Sequence, residues 1–147
     1  MTRIDFYILA EDGSGSSAEN TVLTACKLCE KAVGAGMKVY VSAPGAALAE
    51  DVDGALWSFQ QGGFIAHERY AGRPPDEPLP AVLIGDAEPP ETHHGALINL
   101  GLEVPGYFSR FERVLEVVSG DPVARAKSRE RYKFYRDRGY ELKTHNL

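Results

Sequence analysis

Short apolar runs alternate with amphipathic segments along the chain, and this alternation constrains the fold more than any other feature. The runs combine β-branched, aromatic and aliphatic residues and end at glycine, proline or polar residues, as buried strands do. Because strands that alternate with helices form largely parallel sheets, the pattern predicts an α/β fold with helices on the faces of the sheet. The predicted strands are residues 3–9, 37–43, 81–86 and 96–101, with a short extended segment at 64–67.

Helical periodicity and helix-boundary residues predict four helices. Between Ala18 and Val33, apolar residues and cysteines recur every three or four residues, which is the spacing of one helix face. Near the C-terminus, Asp121 is a suitable N-cap and Pro122 suits the first helical position, while Gly139 is expected to end the helix. The predicted helices are residues 18–33, roughly 45–59, 106–116 and about 122–138, the third carrying Phe108, Phe111, Val114 and Leu115.

The size and composition suit one compact domain. With 147 residues, 44% of them hydrophobic, the chain can bury a core, and neither a repeat nor a linker divides it. We therefore expect a single domain over residues 1–147. No apolar run reaches the roughly 20 residues that cross a bilayer, and residues 1–13 lack the plan of a signal peptide. With only two cysteines, these features predict a soluble, cytoplasmic protein without a membrane partner.

The charge of the chain is unevenly distributed. Its net charge of −5 at pH 7 argues against a protein that coats DNA through the phosphates. Residues 121–147 nevertheless carry eight lysines and arginines against four acids, so this segment is at +4 and residues 1–120 are at −9. A basic C-terminal element on an acidic body predicts a local site for an acidic ligand or partner.

The candidate phosphate loop is the turn from Gly13 to Ala18, which follows a predicted strand and opens a predicted helix. A nucleotide- or small-ligand-binding α/β protein that uses this turn is the alternative function. Against it, Glu11 and Asp12 stand at the mouth of the turn, where they would repel phosphates. The second predicted strand also lacks the acidic residue that holds a ribose in dinucleotide-binding folds, so we expect no nucleotide cofactor.

The sequence contains no recognisable catalytic or metal-binding motif, so we expect neither enzyme activity nor any cofactor. Cys26 and Cys29 share one face of a predicted helix and lack two further ligands at the spacing of a zinc site. They are therefore interpreted as core residues.

His93 and His94 lie in a loop rich in proline. Because the side chains of neighbouring residues diverge, the two histidines are not expected to bind one metal ion, and a solvated loop is expected there.

The last predicted helix combines aromatic and basic residues. At 100° per residue it carries a narrow seam that can dock on the sheet, bordered on both sides by bases in solvent. The helix is either a solvated element whose bases balance the acidic body or a site for an acidic peptide ending in a hydrophobic residue and a carboxylate. The seam consists of Ala124, Ser128, Tyr132 and Tyr135, with Arg125, Arg129 and Arg136 on one side and Lys127, Arg131 and Arg138 on the other.

Trp57 is the only tryptophan, and Phe59 and Phe64 lie close to it along a polar, glycine-containing stretch. These aromatic residues form either a buried core cluster or an exposed interaction hot spot, since tryptophan supplies a large contact area at low entropic cost. Their spacing alone leaves both interpretations open.

Several segments together resemble the chi subunit family of the bacterial DNA polymerase III clamp-loader assembly. The similarity extends over essentially the whole chain, and its specific parts are the C-terminal block and the spacing from Trp57 to Phe64. The resembling segments are residues 5–9 (DFYIL), the helix with Cys26, residues 53–57 (DGALW), Phe64-x-x-His67 and residues 129–136 (RERYKFYR).

The resemblance implies a Rossmann-like three-layer sandwich without a working nucleotide site, and a non-catalytic adaptor role in DNA replication. It implies two protein partners, with DNA reached only indirectly. The partners are the acidic, phenylalanine-terminated tail of single-stranded-DNA-binding protein and the psi subunit of the clamp loader, or an equivalent protein. The implied tail-binding residues are Arg125, Arg129, Tyr132 and Lys133, with Val118 as a pocket wall, and the implied psi-subunit interface is Trp57 and Phe64.

Overall fold

The computed structural model describes residues 1–10, 17–59 and 64–147, and within these ranges seven strands form one sheet. The strands are β1 (Arg3–Ile8), β2 (Val39–Ser42), β3 (His67–Arg69), β4 (Val82–Gly85), β5 (Ala96–Asn99), β6 (Arg113–Val118) and β7 (Glu141–Asn146). They lie in the order β3-β4-β2-β5-β6-β1-β7, and every neighbouring pair in this described part of the chain is parallel. The predicted α/β class with a largely parallel sheet is confirmed.

Helices cover both faces of the sheet, as in a Rossmann-like sandwich. Helices α1 (Ser17–Gly34) and α2 (Ala46–Ser58) pack on one face, and α3 (Pro122–Asp137) packs on the other. Successive strand residues point to opposite faces, so Val41 joins the core beneath α1 and α2 whereas Tyr40 joins the core beneath α3. Among the described helices, none is both long and apolar enough to span a membrane.

The prediction of a helix over residues 106–116 is wrong. Residues Phe108–Arg110 form a single 3₁₀ turn, and the chain then enters β6, which pairs with β5 on one side and β1 on the other. Its sequence, RVLEVV, is rich in β-branched valine and alternates between the two cores. Val114 packs beneath α3, and Leu115 packs beneath α1 and α2. The strand therefore supplies both layers, which a one-sided helix could not do.

The chain ends in β7, a strand that the sequence pattern did not predict. Gly139, at φ 81°, follows α3 and allows the chain to turn back towards the sheet, as expected of a helix terminator. The strand β7 then pairs in parallel with β1, with Leu142 opposite Ile4. Its polar sequence, ELKTHN, suits an edge strand that is largely exposed. Helix α3 is thus connected to the sheet at both of its ends.

The two cysteines are core residues, as predicted. Both thiols are free and buried in α1, within the core shared with α2. Burial raises the pKa of Cys26 to about 11 and raises that of Cys29 further. Both groups are therefore inert thiols at neutral pH.

The expectation of a solvated loop is wrong for His93, whose ring is fully buried. Its Nε2 atom lies 2.8 Å from the carbonyl oxygen of Pro80, and its Nδ1 atom lies 2.7 Å from the hydroxyl of Thr92. Two local polar partners satisfy the ring, so this histidine ties the loop to the protein interior.

Candidate protein-binding surfaces

Helix α3 docks on the sheet through a face that is rotated from the predicted seam. Arg131, expected on a solvated border, is buried, and Tyr132, expected in the seam, lies at the edge with 37% of its surface exposed. The cause of this rotation is Glu116 of β6, a buried carboxylate that draws Arg131 inward. The buried residues of the helix are Ala124, Ser128, Arg131 and Tyr135.

Glu116 is the centre of a buried polar network between β6 and α3. Its carboxylate accepts hydrogen bonds from Arg131 Nε at 3.0 Å, Asn99 Nδ2 at 2.9 Å and the Tyr135 hydroxyl at 2.7 Å. Arg131 also donates to the carbonyl oxygen of Leu102 at 2.8 Å. Burial raises the pKa of Glu116, although the arginine and the hydrogen bonds act in the opposite direction. The network fixes the rotation of α3 and hence the positions of its solvent-facing side chains.

Two of the residues implied in tail binding, Arg125 and Tyr132, contact β1. Arg125 Nη2 donates a hydrogen bond of 2.8 Å to the carbonyl oxygen of Leu9, just beyond the end of β1. The ring of Tyr132 lies 5.5 Å from the ring of Phe6 in β1, tilted by 55°. One flank of α3 is therefore held against the carboxyl half of this strand. We call it the basic flank, made of Arg125, Arg129, Tyr132 and Lys133.

Arg129 and Lys133 are the exposed cations of the basic flank. Arg129 follows Arg125 by one helical turn and precedes Lys133 by one turn, so the three cations lie on one side of the helix. Within the described residues, neither Arg129 nor Lys133 makes an ion pair or a hydrogen bond through its side chain. The other cations of this region are engaged: Lys127 with Glu103 and Glu130, Arg131 with Glu116, Arg136 with Asp137, and Arg138 over the ring of Phe134.

Val118 does not lie on the exposed part of the basic flank. Its side chain is buried at the end of β6 and lines a pocket of about 220 Å³ together with Ala124 and Arg131. Arg131 is two residues from Arg129, and thus about 160° away around the helix. The carbonyl oxygen of Val118 accepts a 2.9 Å hydrogen bond from the amide of Leu9. The structure therefore places Val118 beneath the basic flank. Its carbonyl oxygen holds the backbone of Leu9, which in turn accepts the hydrogen bond from Arg125.

Trp57 and Phe64 form an exposed aromatic pair. Their side chains are 60% and 64% exposed, and the ring centroids lie 5.2 Å apart with a tilt of 35°. The core-cluster interpretation is therefore wrong for this pair, although it holds for Phe59, which is buried. Trp57 is in the last turn of α2, and Phe64 precedes β3, so the pair lies beside one edge of the sheet.

Sequence reasoning missed the supports under both surfaces. Under the basic flank, the support is the ion pair of Arg131 with Glu116. Under the aromatic pair it is His67, whose buried ring lies 4.9 Å from the ring of Trp57 and 6.0 Å from that of Phe64. For the first support the sequence does contain a signal. Glu116 is the one acid in the valine-rich strand β6, and a buried carboxylate requires a partner.

The turn of the alternative function falls largely outside the described residues, which omit 11–16 and thus also Glu11 and Asp12. The alternative therefore stays a prediction. In the parts of the chain that the structure describes, no group of three or more histidine, cysteine, aspartate or glutamate side chains is arranged to hold a metal ion.

The chain is similar over its whole length to proteins of one family. The family described as DNA polymerase III chi subunit, HolC, matches residues 1–143. DNA polymerase III subunit chi of Pseudomonas aeruginosa is 40% identical over 147 residues, which cover 100% of this chain and 98% of the relative. The subunit chi of Haemophilus influenzae is 30% identical over 142 residues, which cover 97% of this chain and 95% of the relative. Because these matches span the sheet and all three helices described above, the chain belongs to the family of DNA polymerase III chi subunits.

Proposed function

We propose that this chain is a non-catalytic adaptor that links the DNA polymerase III clamp loader to single-stranded-DNA-binding protein by binding the acidic C-terminal tail of that protein. Membership of the chi family supports an accessory role in DNA replication. The observation that carries the tail site is the pair of exposed cations, Arg129 and Lys133, next to the partly exposed ring of Tyr132. Acidic residues of the described body do not neutralise these cations, so they remain available to an acidic partner.

Each part of such a tail meets a matching group on the basic flank. The guanidinium of Arg129 can hold the terminal carboxylate through two parallel hydrogen bonds. The terminal phenylalanine can pack against Tyr132, which is supported from below by Phe6. The preceding aspartates lie within reach of Arg125 and Lys133 as longer, salt-screened contacts. The basic flank would thus recognise both the direction of the tail and its terminal side chain.

The aromatic pair of Trp57 and Phe64 is our proposed surface for the psi subunit or an equivalent protein. Large exposed aromatic side chains that contact each other are typical of binding hot spots. Helix α2, which carries Trp57, contains three acids and no base. The surface therefore fits a partner that offers an apolar pocket with basic residues around it.

DNA is reached only through these two partners in this proposal, and neither a membrane nor a cofactor takes part. The replication machinery works in the cytoplasm, which is where we expect the chain to act.

The test of the tail site is a fluorescence-anisotropy titration of the wild-type chain with two labelled peptides. One is an acidic peptide that ends in phenylalanine, and the other lacks only that phenylalanine. We expect the complete peptide to bind at least about tenfold more tightly, because only it combines the carboxylate with an apolar contact. Added salt should weaken binding without abolishing it, since packing of the ring survives screening.

Equal affinity for the two peptides would contradict the proposal, because it would show a diffuse charge effect. A thermal-shift series with ATP and nicotinamide dinucleotides, run beside the titration, tests the alternative function. Saturable stabilisation by a nucleotide, together with no response to the tail peptide, would favour that alternative.

A further inference from the structure

His67 connects the two chain segments that carry the exposed aromatic pair. It is the first residue of β3 and its side chain is fully buried. Its Nδ1 atom lies 2.6 Å from the carbonyl oxygen of Ile65, the residue directly after Phe64. Its Nε2 atom lies 3.2 Å from Oδ1 of Asp53, which precedes Trp57 by one turn of α2, although this close contact is not aligned as a hydrogen bond. One imidazole thus contacts both the helix that presents Trp57 and the backbone that presents Phe64.

The same ring also contacts the two aromatic side chains. Its centroid is 4.9 Å from the Trp57 ring in an edge-on arrangement of 66°, and 6.0 Å from the Phe64 ring at 44°. With Trp57 and Phe64 in contact with each other, the three rings form a triangle in which only His67 is buried. Without such contacts, exposed aromatic side chains lose rotational freedom when a partner binds. This loss of entropy lowers the affinity.

We infer that His67 is a positioning residue that holds Trp57 and Phe64 in their binding arrangement before a partner arrives, through its ring contacts with both side chains and the contact of its Nδ1 atom with the carbonyl oxygen of Ile65. The inference rests on the proposed function of the pair as a protein-binding surface. It assigns no partner contact to His67 itself, because the ring is buried beneath the pair. The role is to hold in place two side chains that belong to different elements.

The experiment compares His67→Asn with His93→Asn. Both wild-type histidines are buried and lie within hydrogen-bonding distance of a backbone carbonyl oxygen, but the contacts of His93 are with Thr92 and Pro80, outside the aromatic triangle. Both variants are expected to lower the melting temperature. Only His67→Asn should free the ring of Trp57, which time-resolved fluorescence anisotropy measures directly because Trp57 is the only tryptophan.

The affinity for the psi subunit of the same organism gives the functional readout. We expect His67→Asn to weaken it about tenfold, the scale of immobilising one or two flexible side chains on binding, and His93→Asn to leave it unchanged.

Two outcomes would overturn the inference. The first is unchanged mobility of Trp57 in His67→Asn, and the second is an equal loss of psi-subunit affinity in His67→Asn and His93→Asn, which would reveal a general stability effect. Trp57→Ala separates this failure from that of the proposed function. If Trp57→Ala binds the psi subunit like the wild type, the proposed surface is wrong, while the mobility measurement still decides whether His67 holds the ring.

Discussion

Arg131 Nε lies 3.0 Å from Oε1 of Glu116, and both side chains are almost completely buried between α3 and the sheet. We predict that Arg131→Ala destabilises the protein by about 3–5 kcal/mol, because it leaves the carboxylate of Glu116 buried without its counter-charge. Urea denaturation followed by circular dichroism measures this change in the free energy of unfolding.

The matched control is Arg129→Ala, two residues earlier on the exposed side of the same helix. This variant should change the free energy of unfolding by less than about 0.5 kcal/mol. Similar losses for the two variants would show that the buried ion pair is not what holds α3 in place.

Arg129→Ala should instead act on tail binding. We predict a loss of about 2–4 kcal/mol in affinity for the phenylalanine-terminated acidic peptide, because the bidentate hold on the terminal carboxylate is removed. Lys127→Ala, on the other side of α3, should change the affinity less than about twofold, since Lys127 already pairs with Glu103 and Glu130. The anisotropy titration measures both, and equal effects of the two substitutions would argue against a defined site.

Trp57→Ala should leave the fold intact. The side chain is 60% exposed, so its removal creates no buried cavity, and a thermal melt should lie close to that of the wild type. Binding of the psi subunit should lose about 2 kcal/mol or more, as expected for a hot-spot tryptophan. A collapse of the melting temperature would instead reveal a core role for Trp57, since truncation of a buried tryptophan costs about 3–5 kcal/mol of stability.

His93 should make stability depend on pH. Burial lowers the pKa of His93 below its ordinary value of 6.5, against the opposing effect of the bond to Pro80. On acidification the unfolded chain therefore takes up this proton first, and the free energy of unfolding falls as pH drops through 6.5 towards the folded pKa.

We expect the wild type to lose more stability than His93→Gln between about pH 7.5 and about pH 5, measured by urea denaturation at each pH. The comparison with the variant removes the contributions of the other histidines. Parallel pH profiles for the two proteins would contradict a buried neutral His93.

The central strands and the amphipathic helices could be predicted from sequence because their signals are local. The predicted strands at residues 37–43 and 81–86 contain β2 and β4. They could be located because each apolar run ends at a glycine, a proline or a charged residue. The prediction of a helix over residues 106–116 failed because its apolar residues fit a helical spacing by coincidence. These residues are Phe108, Phe111, Val114 and Leu115. Pairing with β1 and β5 decides their structure, and those partners are distant in sequence.

The rotation of α3 could not be predicted from its own pattern. Arg131 and Tyr132 are adjacent, and the aromatic residue is the better candidate for the interior on hydrophobicity alone. Glu116 reverses this preference from 15 residues away, in a strand that had been predicted as a helix. Similarly, His67 and Asp53 meet only because α2 packs beside β3.

The strand order puts the two proposed surfaces at opposite ends of the sheet. The aromatic pair lies beside β3, and the basic flank lies against β1, next to the terminal strand β7. Five inter-strand steps separate β3 from β1, and at about 4.8 Å per step they span roughly 24 Å. Because hydrogen-bonded parallel strands connect β3 to β1, the sheet would hold the two proposed partners at a fixed spacing. At this separation the two proposed surfaces do not overlap, so we expect both proposed partners to bind the chain at the same time.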